Sequence, residues 1–285
     1  MAESGISYFP GDDPEMAAAS KLARQTFRFF WREASWERRR IIPAYYMMAV
    51  KGAFSDPPEV RAENPNGLEV EHMWVSDVNF DGSKITGTLL NNPGSLKSLS
   101  EGDPVTLAPK QVSDWMYADD VAYGAFTVQL LRSRMSSAER KQHDAAWGLE
   151  FGDHDIIHVV PPEHLGDKPA KPKKFLGLFG KSATKQPQDY KAAALVEHPM
   201  SVAMSESLKE QLQQNPSFLT DADEDGFTFL HSLSMAGSYD CVKVLLEAGA
   251  DVNTLTRNGK TAYALAKILG WGKVMKLLQS AGAQA

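Results

Sequence analysis

The side chains best equipped for chemistry in this sequence are seven histidines, one cysteine and a few acid–aromatic clusters. His72 and His143 have the acid–base range of a general base if a carboxylate orients them. Neither has an evident nucleophile to activate. Cys241 lies far along the chain, and no Gly-x-Ser-x-Gly elbow occurs. Phosphate-cradling loops of the Gly-x-Gly-x-x-Gly or Walker type are absent from the sequence as well. His154 and His158 are four residues apart, which puts both on one face of a strand, with Asp153, Asp155 and His164 nearby. That spacing places two ligands where a metal site needs three or four, so neither metal nor cofactor is expected. Ser113-Asp114-Trp115-Met116-Tyr117 has two readings. Its aromatics can form a binding surface with Asp114 orienting a donor, or Trp115 can be core while Asp114 holds backbone N–H groups. Trp74, Trp115, Trp147 and Tyr117, taken together as a stacking set, are more simply core aromatics.

What must position these residues is a chain of 285 amino acids, long enough for two domains. Hydrophobic residues are 43% and charged residues 23%, which excludes global disorder and fibrous repeats. The net charge of -6 argues against bulk binding to nucleic acid, which needs a clustered positive surface. A single cysteine excludes an internal disulfide and cysteine-rich zinc sites. The longest apolar stretch, Ile41 to Val50, is too short for a membrane span. Asp12, Asp13 and Glu15 stand where a signal peptide needs a basic and then an apolar region. The expected location is the cytoplasm, with no membrane and no nucleic-acid partner.

Charge divides the chain into three. Residues 1–166 carry 16 basic and 24 acidic side chains, a net of -8, whereas residues 167–200 carry a net of +4 and residues 201–285 a net of -2. Between Lys168 and Gln188 there are six Lys, three Pro and no acid, so residues 167–188 read as a Lys/Pro-rich linker. The apolar insert Phe175–Phe179 within it is expected to fold back on a neighbouring domain; the alternative is a short anchor for a partner or an anionic membrane surface.

The last part of the chain is repetitive. Asp225-Gly226-Phe227-Thr228 and Asn258-Gly259-Lys260-Thr261 are offset by 33 residues, and the same offset joins Gly237 to Gly270, Leu245 to Leu278 and Gly249-Ala250 to Gly282-Ala283. Each position has a physical role. One Gly makes a tight turn, a Thr opens a helix, and a second Gly reverses direction, while Val242, Leu245 and Leu246 form a buried stripe. Thr228-Phe229-Leu230-His231, followed by Leu246-Glu247-Ala248-Gly249-Ala250-Asp251-Val252-Asn253, resembles the ankyrin repeat, with Phe229 replacing the usual Pro. The resemblance implies an all-α ankyrin-repeat domain over residues 189–285. It comprises a degenerate capping repeat at about 189–221 and repeats at 222–254 and 255–285. It also implies that His231 bonds to backbone and keeps successive turns in register. Cys241 falls beside the buried stripe and is expected to be a small core residue.

Upstream, residues 15–40 read as one long amphipathic helix with Leu22, Phe27, Phe30 and Trp31 on its apolar stripe. Strand patterns follow at 44–54, 71–78, 84–90, 104–107, 112–116, 123–131 and 155–160, with a helix at 137–147. The reading is an α+β domain, a curved antiparallel sheet with flanking helices, in which the Met73–Met116 meander makes a small SH3-like barrel. Glu71-His72-Met73-Trp74-Val75, Gly102-Asp103-Pro104-Val105, Val112 to Tyr117 and His143 to Asp153 resemble the bacterial domain-of-unknown-function family 2314. That resemblance covers roughly residues 16–165 and implies no reaction.

The expected function is therefore protein binding without catalysis, through an ankyrin surface and an acidic N-terminal domain. Its sharper form is an immunity protein that neutralises a toxin. The candidate contact residues are Asp225, Phe227, Phe229, Arg257, Asn258 and Lys260 on the repeat turns, with Asp114, Trp115 and Tyr117 in the first domain. The alternative is a small-molecule enzyme or ligand-binding site within residues 1–166, near Asp114 and His72.

Overall fold

The computed structural model describes residues 13–63, 67–165 and 189–284. The linker at 167–188 and its Phe175–Phe179 insert lie outside the described residues. The chain divides into two compact units: Met1–Phe30 with Pro43–Ile157, and Trp31–Ile42 with His158–Ala285. No helix is long and apolar enough to cross a membrane among the described residues.

The first helix, α1 (Pro14–Glu37), is opened by Asp13, whose carboxylate accepts from the N–H groups of Glu15 and Met16 at 2.9 and 3.2 Å. In the first unit β1 (Met47–Phe54), α2 (Pro58–Glu63), β2 (Glu71–Phe80), β3 (Ile85–Leu89), β4 (Pro104–Leu107), β5 (Val112–Ala118) and β6 (Ala122–Gly124) follow. Then come α3 (Phe126–Arg134) and α4 (Ser137–Trp147). The strands form one antiparallel sheet in the order β4-β3-β2-β1-β5-β6. The sheet is strongly curled. Leu107 on β4 lies so close over Gly52 on β1 that a side-chain carbon there would meet it at 2.5 Å, which only glycine avoids. The hydrogen-bonded order runs from β4 at one end to β6 at the other among the described residues, the curved antiparallel sheet that the strand pattern predicts.

Period-two alternation assigns the two sheet faces. Trp115 and Tyr117 on β5 point to one face, where Trp115 packs near Phe30 of α1 and its indole N–H donates to the Ala23 carbonyl at 2.9 Å. Met116 and Ala118 point to the other, against Val128 of α3 and the Leu149–Phe151 segment.

Two strand expectations are corrected. The pattern at 123–131 predicts one strand, but β6 ends at Gly124 and α3 begins at Phe126, across Ala125 at φ 57. Residues 155–160 form no strand; Val159 and Val160 are buried.

The second unit contains α5 (Tyr190–Ala193), α6 (Pro199–Gln214), α7 (Phe229–Met235), α8 (Tyr239–Glu247), α9 (Ala262–Leu269) and α10 (Gly272–Ser280). The pairs α7–α8 and α9–α10 start 33 residues apart, as the sequence period requires. Val242, Leu245 and Leu278 are buried between them. Gly237 turns the chain between α7 and α8 at φ 73, under the ring of Trp271. Trp271 is itself fixed by an indole N–H donated to the Met235 carbonyl at 2.9 Å.

Candidate functional site

Each helix pair is preceded by a turn, and the two turns are built alike. The Asp223 N–H donates to the Phe227 carbonyl at 3.1 Å, and the Thr256 N–H donates to the Lys260 carbonyl at 3.0 Å. The Arg257 N–H reaches back to the Asp225 carbonyl at 2.8 Å, so the two tips lie side by side. Asp225, Arg257 and Asn258 are exposed there, while Phe227, Phe229 and Lys260 are half-buried. The rim is thus a rigid backbone ledge with polar tips and an aromatic shoulder.

His231 supports this ledge from beneath. A backbone N–H can only donate, so the Thr228 N–H at 3.2 Å makes His231 Nδ1 the acceptor. The proton then resides on Nε2 and is donated to the Thr254 carbonyl at 3.0 Å. Burial holds its pKa below the ordinary histidine value, against the opposing pull of the Thr254 carbonyl. A neutral, fully used imidazole ties the first turn to the second. Cys241 is equally committed: buried, with its Sγ–H donated to the Ser201 carbonyl at 3.2 Å and its pKa pushed up to about 11 by burial.

Asp114, Trp115 and Tyr117 are fully buried, which corrects their expected place on a contact surface. Asp114 instead caps a helix from a neighbouring strand. One oxygen accepts from the Trp115 and Phe126 N–H groups at 2.8 and 2.9 Å; the other accepts from the Thr127 N–H at 2.7 Å and its hydroxyl at 2.5 Å. Two further buried carboxylates do similar work. Glu71 gathers the N–H groups of Gly94 and Ser95, and Asp56 those of Lys97 and Ser98. Asp114, a candidate for a binding or enzyme site in the sequence, holds the start of α3 in the fold.

His143 lies at the start of another fixed group, 3.0 Å from Asp144, whose carboxylate takes two parallel donors from buried Arg132 at 2.8 and 2.6 Å. His72 and Asp114 lie on the same sheet face, on either side of Lys51. Register pairs Lys51 with Trp74 and with Asp114, and pairs the next residue but one, Ala53, with His72.

In the second unit the sequence gives no sign of one cluster. Glu33, at the α1 end, faces His198 at 3.0 Å, with His164 beside them; all three present ligand atoms to one another. His198 Nδ1 accepts the Met200 N–H at 3.1 Å, opening α6, so its Nε2 carries the proton donated to Glu33. A metal at Nε2 would have to displace that proton while Nδ1 still faces an N–H. The group therefore suits a buried clamp better than a ligand set. Burial opposes Glu33 ionisation, yet the His198 hydrogen bond and the Arg32 charge outweigh it and keep its pKa low. The histidine spacing at 154, 158 and 164 gives no clue to this cluster, because its other members are a glutamate and a histidine distant in sequence. The second convergent group, Asp153, His154 and Asp155, consists of sequence neighbours, with His154 Nδ1 3.1 Å from Asp155.

Residues 13–151 match the model of the family described as uncharacterized proteins conserved in bacteria, DUF2314. Residues 200–285 match the model of ankyrin repeats in three copies. A putative ankyrin repeat protein of Neisseria meningitidis serogroup B is 37% identical over 280 residues, 98% of each chain. The uncharacterized protein YegJ of Escherichia coli K12 is 30% identical over 78 residues, which are 27% of this chain and 51% of that one. A serine/threonine-protein kinase, VIK, of Arabidopsis thaliana is 38% identical over 76 residues, 27% of this chain and 17% of its own length.

Proposed function

The chain belongs to the family of the meningococcal ankyrin repeat protein, and on that premise we propose that it acts by binding another protein at its repeat turns, without catalysis. The observation that carries this reading is the ledge itself. Two equivalent tips are locked together by the Arg257–Asp225 backbone bond and by His231, so Asp225, Arg257 and Asn258 are presented at little further ordering cost. Phe227, Phe229 and Lys260 provide an apolar and cationic shoulder next to them. The ankyrin repeats support a protein-interaction role.

The partner we favour is a bacterial toxin with a basic surface. Residues 1–166 carry a net charge of -8, which draws such a surface in and speeds encounter. The domain arrangement we favour has an acidic module at 1–166, a Lys/Pro-rich linker at 167–188 and repeats at 189–285.

A photo-reactive amino acid placed at Arg257 or Lys260 in the native bacterium tests the binding. The expected result is one cross-linked protein from the rim positions and none from exposed Lys276 on α10. Equal labelling from all three, or none from any, rejects the rim. Expressing the captured protein alone tests the toxin reading. Growth arrest relieved by co-expression supports it, and a harmless partner rejects it while leaving the binding intact.

A further inference from the structure

The described part of the first unit contains one half-buried ammonium whose surroundings lack a counter-ion. Lys51 lies on β1 at a register shift, where β5 inserts Ser113 as an extra residue; such bulges re-aim side chains. Its Nζ lies 5.6 Å from the Trp74 ring centroid. Among the described residues no carboxylate comes within ion-pairing distance of it. The acid opposite it in register is Asp114, and both Asp114 oxygens are already filled by four donors from Trp115, Phe126 and Thr127. A cation withdrawn from water normally keeps a paired anion. Lys51 has only the field of Asp114 and the face of an indole.

The neighbouring side chains supply an apolar corner of rings set nearly at right angles. Trp74 meets Trp147 edge to face at 6.3 Å, and Trp147 meets Phe151 in the same way at 6.0 Å. Trp74 and Trp147 are both half-buried, so part of each ring stays open. His72, exposed and diagonal to Lys51 on β2, borders the patch. We propose that Lys51, Trp74 and Trp147 form a binding site for a small planar aromatic carboxylate, its anion on the Lys51 ammonium and its ring on the tryptophans. A neutral ring would gain only the stacking, and a simple inorganic anion only the charge; the site offers both together. Burial lowers the Lys51 pKa while Asp114 raises it; burial and then Lys51 lower that of His72. A bound carboxylate opposes the lowering at Lys51. This site is separate from the repeat rim and does not depend on it.

The test uses the full chain and 1-naphthoate, with 1-naphthamide as the uncharged isostere, followed by the indole N–H resonances of Trp74 and Trp147. Naphthoate is expected to shift both resonances with a dissociation constant at or below about 1 mM. Naphthamide is expected to bind roughly tenfold or more weaker, the factor a lost charged hydrogen bond carries. Lys51→Met is expected to weaken naphthoate to the naphthamide level while the far-ultraviolet circular dichroism is unchanged. The proposal is overturned if naphthoate shifts neither indole at about 10 mM, or if the amide binds as well as the acid. It is equally overturned if folded Lys51→Met keeps the wild-type affinity. Should that variant not fold, the acid–amide comparison on the unaltered protein decides.

Discussion

Replacing Gly237 by alanine should unfold the repeats far more readily than the same change at Gly249, though both glycines have positive φ, 73° and 94°. An alanine in the left-handed region costs about 1–2 kcal/mol at either position. At Gly249 nothing lies within 4 Å of the added carbon, so that cost stands almost alone. Reduced freedom of the unfolded chain offsets it by about 0.4–1 kcal/mol. At Gly237 the added carbon would meet three Trp271 ring atoms at 2.5, 2.6 and 2.8 Å. The indole has little room to retreat, being 3% exposed and tied to the Met235 carbonyl. Forced repacking adds about 1–3 kcal/mol, and loosening the indole hydrogen bond about 1 kcal/mol more. The totals are about 3–5 kcal/mol for Gly237→Ala and about 1 kcal/mol for Gly249→Ala. Hydrogen exchange of peptides from residues 222–285 across a urea series measures both in the full chain. At a slope of about 1–3 kcal/mol per molar, the Gly237 variant should lose at least about 0.7 M in midpoint relative to the Gly249 variant. Equal midpoints, or a more stable Gly237 variant, would refute the stacking of Trp271 over that turn.

Acidification should weaken the repeats in a defined window. Burial lowers the folded pKa of His231, so the unfolded chain binds the proton more tightly; stability is full above about 6.5 and declines as pH falls through the folded value. Thermal melting from pH 8 to 5 checks this, and a repeat unit whose stability rises toward pH 5 contradicts it. Asp114→Ala leaves the Phe126 and Thr127 donors of α3 without their carboxylate and should cost about 2–4 kcal/mol by chemical denaturation, against under about 0.5 kcal/mol for exposed Asp251→Ala. Cys241, with its thiol pKa at about 11, should resist iodoacetamide at pH 8 and react once urea unfolds the chain; rapid native labelling would contradict its buried position.

The repeats were legible because the same residue types recur one period apart. Gly226, Thr228, Gly237 and Leu245 recur 33 residues on in the same roles, so local chemistry and global architecture coincide. The curled sheet was legible strand by strand up to β5 from short apolar or alternating runs bounded by turn signals such as Asp81-Gly82 and Asn91-Asn92-Pro93-Gly94. Alternation misled at 123–131. What starts α3 is not a local cap, since Ala125 has no polar side chain, but the Asp114 carboxylate arriving from β5. A cap supplied from another strand leaves no mark within the helix's own residues. The 155–160 stretch misled because Val159 and Val160 are apolar for burial alone. Trp115 and Tyr117 admit both a surface and a core reading in the sequence, and all seven residues of β5 are buried. Aromatic type does not distinguish a core strand from a binding face. The Glu33–His198 clamp joins residues 165 positions apart, a pairing that no spacing rule reaches.

The central claim is that the paired turn tips make the contact with a partner, and the affinity of the cross-linked protein for rim variants tests it most directly. Arg257→Glu with Lys260→Glu should weaken that complex by about a hundredfold, as loss of two interfacial charged contacts implies, while Lys276→Glu and Lys51→Met leave it within about twofold. A rim double variant that binds as tightly as the unaltered chain would contradict it.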